Sequence, residues 1–149
     1  MSAPRYEAAI RGADAPSAAA AWVELRNSSA RRVYLTELAC TLGAATASTL
    51  GLIRATAQGT GGASTAAGQP VDPTDVAGNL TLAVTAFTTA PTFGTAYLRR
   101  FAIGAAIGAG FHWVWPSDQP LVIPVSGSLV VVAITAGAAT SDWFAAWAE

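Results

Sequence analysis

The chain has 149 residues, a formal net charge of -1 and only 11% charged residues. A chain of this length is typical of one domain and can bury a core without disulfides or metal ions. All eight basic residues are arginines, and nine acidic residues balance them. This balance lacks the basic surface that nucleic acids and anionic membranes attract, so we expect neither as a partner.

Cysteine content and apolar runs indicate whether the protein has disulfides, a secretory signal or a membrane span. The single cysteine, Cys40, excludes an intrachain disulfide, and its apolar surroundings, LTELACTL, predict a buried side chain. The N-terminal MSAPRYEAAIRG has no apolar segment behind its arginine, so we expect no secretory signal. Gln119–Ser141 is uncharged and longer than the ~18 residues of a membrane span, but its prolines and β-branched residues favour sheet. We therefore expect a soluble protein.

Three strands are predicted in the first part of the chain. Ala21–Asn27 alternates between two faces, which places Trp22 on the same side as Glu24. Arg32–Leu42 and Thr49–Gln58 alternate in the same way. The LTELA piece of Arg32–Leu42 also fits a helix, but its β-rich surroundings favour a strand.

The next segment, Gly59–Asn79, interrupts this pattern. Its sequence, GTGGASTAAGQPVDPTDVAGN, is rich in glycine, contains two prolines and shows no periodicity. Loops longer than about 12–15 residues without structure of their own are uncommon and are often functional or disordered. We therefore predict a long surface loop here.

Alternation resumes in the second part of the chain. The predicted strands are Leu80–Phe87, Thr95–Ile103, Phe111–Trp115, Leu121–Val125, Ser128–Thr135 and Asp142–Ala148. Pro120 and Pro124 cannot donate to a ladder, so Leu121–Val125 is predicted as an edge or bulged strand and Ser128–Thr135 as a central one. About nine strands without a helix predict an all-β sandwich or barrel.

No residue pattern identifies a reaction. His112 is the only histidine, and although Ser117 and Asp118 follow it closely, the chain has no Gly-x-Ser-x-Gly elbow. A metal site of the cupin type needs several histidines. We therefore expect no catalytic residue, no cofactor and no metal site, and a structural or surface role for His112.

Two loop features have ordinary explanations. Asp72 and Asp75 lie in VDPTDV, which is typical of turns and caps, with a weak cation site as the alternative. Gly59–Gly62 and Gly104–Gly110 are glycine-rich but lack the lysine or the spacing of a nucleotide-binding loop. We expect no nucleotide.

Arginines and aromatic residues are the candidates for contacts with other chains. Neighbouring arginines on a strand point to opposite faces, so each Arg-Arg doublet either lies on solvated faces or reaches across a subunit contact. Trp and Phe are abundant, and a chain with so little charge has too little polar surface to cover itself, which favours a homo-oligomer. The predicted subunit or shell contacts are Arg31, Arg32, Arg99, Arg100, Trp143, Phe144 and Trp147.

Several segments together resemble a known family. TLGLIRATAQGT, a Gly/Thr/Asp/Pro loop, TTAPTF, WPSDQPLVIPVSGSLVVVAI and a terminal DWFAAWAE are similar to the small virion proteins of tailed bacteriophages that have a tumour-necrosis-factor-like or C1q-like jelly roll. The similarity runs from about Val33 to Glu149. It implies an antiparallel jelly-roll β-sandwich of about eight to nine strands at residues 18–149. Residues 1–17 depart from the better-matched part, and we expect an N-terminal arm or extended segment there, which could reach to a neighbour or to the shell.

The same resemblance implies a function. These proteins are homotrimers that bind the major capsid protein on the outside of the shell, so the chain is expected to be a non-enzymatic capsid decoration, or cement, protein. It would be made in the host cytoplasm and would reside on the virion surface. Two other classes stay open: a receptor- or glycan-binding head of a tail or fibre, with Gly59–Asn79 facing the ligand, and a lyase or isomerase that uses His112.

Overall fold

The computed structural model of the chain describes residues 3–149, which form strands, turns and loops but no helix. The strands are β1 (Arg5–Gly12), β2 (Ala20–Asn27), β3 (Val33–Leu42), β4 (Ser48–Ala57), β5 (Thr60–Gly61), β6 (Ser64–Ala67), β7 (Gln69–Pro70), β8 (Leu80–Val84), β9 (Phe87–Thr89), β10 (Thr92–Phe93), β11 (Arg99–Ile103), β12 (Gly110–Val114), β13 (Leu121–Ile123), β14 (Ser128–Ala133) and β15 (Ser141–Ala148). In this range no helix is long and apolar enough to cross a membrane.

Two antiparallel sheets contain most of these strands. The first sheet has the order β12-β3-β15-β1-β7, and β13 also pairs with β3. The second sheet has the order β10-β4-β14-β2-β8-β6, and β11 also pairs with β4. Alternate residues of both sheets enter one common core, as expected for a β-sandwich. The all-β prediction is confirmed.

Proline placement predicted the edges correctly. Among the described residues 3–149, β13 pairs only with β3, whereas β14 lies between β4 and β2, and all six of its residues are buried. Leu129 and Val131 face the common core, and Val130 and Val132 face the opposite side of the second sheet. A run of β-branched residues suits a strand that is buried on both faces.

A β-bulge changes the predicted position of one tryptophan. Val23 pairs with Val131 and Ala21 with Val132, so Trp22 is the extra residue of β2. Its indole therefore enters the core beside Val23, at 5.5 Å from the ring of Trp143. The prediction that Trp22 shares a face with Glu24 is wrong, because strict alternation stops at a bulge.

The predicted N-terminal arm or extended segment at residues 1–17 contains a strand of the first sheet. Arg5–Gly12 forms β1, which pairs along its whole length with β15 and at Tyr6 and Glu7 with β7. Tyr6 and Ala8 point into the core. The alternation of β1 is inconspicuous in the sequence, because Ala8 points inward and the adjacent Ala9 points outward. Met1 and Ser2 lie outside the described residues.

The predicted loop at residues 59–79 contains three short strands. β5 pairs with β9, β6 lengthens the second sheet beside β8, and β7 lengthens the first sheet beside β1. Ser, Thr, Ala and Gly give β5 and β6 little pattern, since the ladder to a neighbouring strand and not the burial of large side chains holds them. The longest stretch without a strand in this segment is residues 71–79.

The outer face of the second sheet is buried by the chain itself. The β5–β9 ribbon and residues 90–98, together called the cover, place side chains on the outer side of β4 and β14, and β10 within this segment pairs with the edge of β4. Phe87, Phe93 and Tyr97 of the cover pack on Ile53 and Val130. Gly51 gives room for this packing, because the ring of Tyr97 occupies the space that a β-carbon at position 51 would need. No comparable layer lies on the first sheet within residues 3–149.

Candidate functional site

The bare outer face of the first sheet is the candidate functional surface. Phe144 projects outward from its middle strand, and its direct cross-strand partners are Ala9 on β1 and Ala39 on β3. Small neighbours leave the ring partly exposed. A groove lies on the same face, toward the end where β3 begins.

A second β-bulge shapes the groove. Ala146 pairs with Glu37 and Trp147 with Leu35, so Thr36 is the extra residue of β3. The Thr36 hydroxyl donates to the Ala146 carbonyl at 3.0 Å, and the Thr36 carbonyl accepts from the Trp115 amide at 2.8 Å. The bulge bends the strand and fixes Trp115 just after β12.

The resulting depression, called the sheet groove, has a volume of about 640 Å³. Its lining is mostly apolar: Tyr34 is 37% exposed, Val114 is 58% exposed, and Trp115 and Pro120 complete one wall. The full lining is Ala3, Arg5, Tyr34, Thr36, Glu37, Val114, Trp115, Ser117, Pro120 and Ala148. A concave apolar surface with a few polar groups is typical of a binding site.

One carboxylate, Glu37, lies in the groove with two basic partners. His112 Nε2 is 2.9 Å from one oxygen of Glu37, and an Arg5 nitrogen is 3.9 Å from the other. The His112 side chain is 54% exposed and Glu37 is 27% exposed, so solvent screens these pairs. Among residues 3–149, His112 has no hydrogen bond to Ser117 or Asp118.

Aromatic rings close the open side of the sandwich next to the groove. Phe101 of β11 contacts Phe111 and Trp113 of β12, with ring centroids 4.4 and 4.5 Å apart. The Arg99 guanidinium lies 5.5 Å from the Trp113 ring and 4.9 Å from the Trp115 ring. These cation–π contacts hold a positive charge beside the groove.

The predicted contact residues are spread over several surfaces. Arg31 and Arg32 are exposed in the β2–β3 loop, and Arg100 is exposed on β11. Phe144 lies on the bare face described above. The structure does not bring the two arginine doublets together at one site.

Trp143 and Trp147 are corrected as contact residues. They share a face of β15, as their spacing predicted, but that face is the core side, where they are 1% and 0% exposed. A buried ring offers no surface to another chain. Large aromatic rings gain most from burial, and here the sandwich core provides it.

Sequence reasoning missed the exposed apolar residues of the groove and of one loop. The loop at residues 71–78, called the knob loop, joins β7 to β8 and carries Val71 at 55% and Val76 at 80% exposure. Their signal in the sequence is weak but present: VDPTDVAG places two valines among turn-forming residues that otherwise have no apolar side chain of that size.

The knob loop has an ordered structure of its own. The Asp72 carboxylate accepts from the backbone amide of Thr74 at 2.9 Å and from its hydroxyl at 2.7 Å. These hydrogen bonds hold the pKa of Asp72 below its usual range. Within residues 3–149, no group of three or more His, Cys, Asp or Glu residues could hold a metal ion.

Comparison with known proteins adds no relative: no family model, curated protein or solved structure matches the chain. Its function is therefore inferred from the fold and from the surfaces described above.

Proposed function

We propose that the chain is a jelly-roll protein that assembles as a homotrimer and decorates the outside of a tailed-phage capsid. The strand order supports the topology. Taken in chain order as eight strands, β1, β2, β3, β4, β11, β12, β14 and β15 give neighbours 1-8-3-6 in the first sheet and 2-7-4-5 in the second. Eight strands divided between two four-stranded sheets, with strands from distant parts of the chain as neighbours in this order, are typical of a jelly roll.

The bare face of the first sheet is the single observation that carries the proposal. The second sheet buries its outer apolar residues under the cover, whereas Phe144, Tyr34 and Val114 of the first sheet remain accessible. Exposed apolar surface that includes a groove is typical of protein association. A second copy of the chain is the partner that the family resemblance suggests.

A decoration role needs binding surfaces and no active site. A trimer on the shell would bury area across joints between major capsid subunits that packaged DNA pushes apart. Symmetry repeats each modest contact, so small energies add up over the particle. The low proportion of ionisable residues, 11%, suits contacts that persist when salt or pH changes.

Two measurements test the proposed function. Light scattering of the purified chain at micromolar concentration should give the mass of three chains. Capsids stripped of the protein should bind it again and recover heat tolerance. Failure to rebind, or unchanged heat tolerance without the protein, would contradict the capsid role. Labelling of intact particles that placed the chain on the tail would support a receptor- or glycan-binding head instead.

A further inference from the structure

The exposed knob loop and the sheet groove are complementary. We propose that the knob loop of one chain docks in the sheet groove of a second copy, so that the copies contact one another head to tail in a ring. This inference rests on the proposed homotrimer and specifies its interface.

The knob loop presents an apolar tip with negative charge. Val76 is the most exposed of the large apolar residues in residues 3–149, at 80%, and Val71 is 55% exposed. Asp72 and Asp75 flank them, and residues 69–79 contain no basic residue. Neither aspartate forms a salt bridge within the described chain. The loop therefore offers two valines and two uncompensated carboxylates to a partner.

The groove offers the opposite combination. Tyr34, Val114 and Pro120 provide an apolar wall. Arg5 lines the groove and Arg99 lies on Trp115, one of the lining residues.

The charges around the groove sum to a positive value. Glu37 is the carboxylate that lines the groove. Arg5 and Arg99 against Glu37 leave a net positive surround for a loop of charge -2, counted from Asp72 and Asp75.

The positions of the two surfaces suit a closed ring. The knob loop lies at the β7 edge of the first sheet, and the groove lies over β3 and β12 toward the other edge. Both lie at the same end of the sandwich, because the Val71 amide donates to the Arg5 carbonyl at 2.9 Å and Arg5 also lines the groove. A rotation about an axis parallel to the strands therefore brings the knob loop of one copy to the groove of the next without a translation along that axis. Head-to-tail contacts related by rotation alone can form a closed ring, whereas an added translation would give a helical filament.

The base of the knob loop is held firmly, so the loop is prepared for docking. The Gly78 amide donates to the Gly68 carbonyl at 3.2 Å. A β-carbon at Gly68 would meet the Trp147 ring, and one at Gly78 would meet the Tyr6 ring that stacks on it. A loop that is ordered before binding loses less conformational entropy when it binds.

Thiol cross-linking tests the contact directly. We would introduce Val76→Cys and Val114→Cys together and treat the protein with a short bis-maleimide. The native Cys40 should not react, because it is 1% exposed and burial raises the pKa of its thiol to about 12. The matched control replaces Val76→Cys with Ile107→Cys, an equally accessible position (73% exposed) in the β11–β12 loop, at the opposite end of the sandwich.

The expected product is a ladder that ends at a covalent trimer for the Val76/Val114 pair and is absent for the control. Mixing the two single variants should give covalent dimers that neither gives alone, which marks a head-to-tail contact. Cross-linking of the Val76/Val114 pair no greater than that of the control would overturn the inference.

A substitution provides a second readout. Val76→Arg should raise the trimer dissociation constant at least about tenfold, because it places a positive charge in an apolar wall beside Arg5 and Arg99. It should leave urea unfolding of the monomer unchanged, and Ile107→Arg should change neither quantity. An unchanged dissociation constant for Val76→Arg would contradict the proposed contact. Cross-linked trimers that fail to bind capsids would contradict the capsid role alone, whereas capsid binding without cross-links would contradict the interface alone.

Discussion

The two outer faces of the sandwich meet solvent in different ways. On the second sheet, Ile53 and Val130 are buried because the cover packs on them. On the first sheet, Phe144 and Val114 occupy comparable outward positions and stay accessible. The second sheet is apolar where the cover packs on it. The outer face of the first sheet also carries charged side chains that meet water directly, among them Glu7, Arg11 and Asp142. In our proposal an external partner covers its accessible apolar residues.

The largest expected difference between the two faces is the loss of unfolding free energy when a hydrogen-bonded carboxylate is removed. Under the cover, the Glu24 carboxylate is fully buried and accepts from Arg26 at 2.7 Å, from the Ser128 hydroxyl at 2.7 Å and from the Gly59 amide at 3.1 Å. Glu24→Ala should lower the unfolding free energy by about 3–5 kcal/mol, because Arg26 and the Gly59 amide lose their partner away from water. Urea unfolding measures this loss.

The matched control is an ion pair of nearly the same length on the bare face. Arg11 and Asp142 are 2.8 Å apart, but their side chains are 68% and 46% exposed. Asp142→Ala should therefore have a much smaller effect than Glu24→Ala, since water solvates the remaining charge. Equal losses for the two variants would show that burial under the cover is not what distinguishes the pairs.

The next largest difference between the two faces should come from truncating an apolar side chain and measuring the loss of unfolding free energy. Ile53→Ala removes a side chain that is 2% exposed beneath the cover, and it should cost about 2–4 kcal/mol of unfolding free energy. Val114→Ala on the bare face, at 58% exposure, should change the unfolding free energy of the monomer by less than about 0.5 kcal/mol. Thermal unfolding at low protein concentration, where any trimer dissociates, would compare the two. A large loss for Val114→Ala would mean that the bare face already stabilises the monomer.

The smallest effect is a dependence on pH. Two hydrogen bonds from Arg11 hold the pKa of Asp142 below its ordinary value of 3.8. A carboxylate with a lower pKa in the folded state stabilises the fold above its unfolded pKa, and this contribution is lost as the pH falls through the lowered pKa. Wild type should therefore exceed Asp142→Asn in stability at about pH 6 and lose that small advantage near pH 2. An advantage that does not change with pH would contradict this explanation.

Much of the candidate site was hidden from sequence reasoning. The groove combines Tyr34 with Val114 and Trp115, which lie far from it in the chain. The bulge that shapes it shows in the sequence only as two adjacent polar residues, Thr36 and Glu37, where the alternation of β3 changes phase. The knob loop lies within a segment that was recognised as unusual for its length, but its two exposed valines were not singled out. Contact residues were predicted from charge and aromatic character, but Trp143 and Trp147 lie in the core.

The sequence by itself determined the all-β class, most strand positions and the edge or central placement of β13 and β14, because alternation and proline are local properties of a strand. Only the tertiary structure decided which side of each strand is inward. It placed Trp143 and Trp147 in the core, Trp22 beside them through a bulge, and β1 within the first sheet. The physical reason is that a period of two residues shows which side chains share a face, whereas burial depends on what other part of the chain lies against that face.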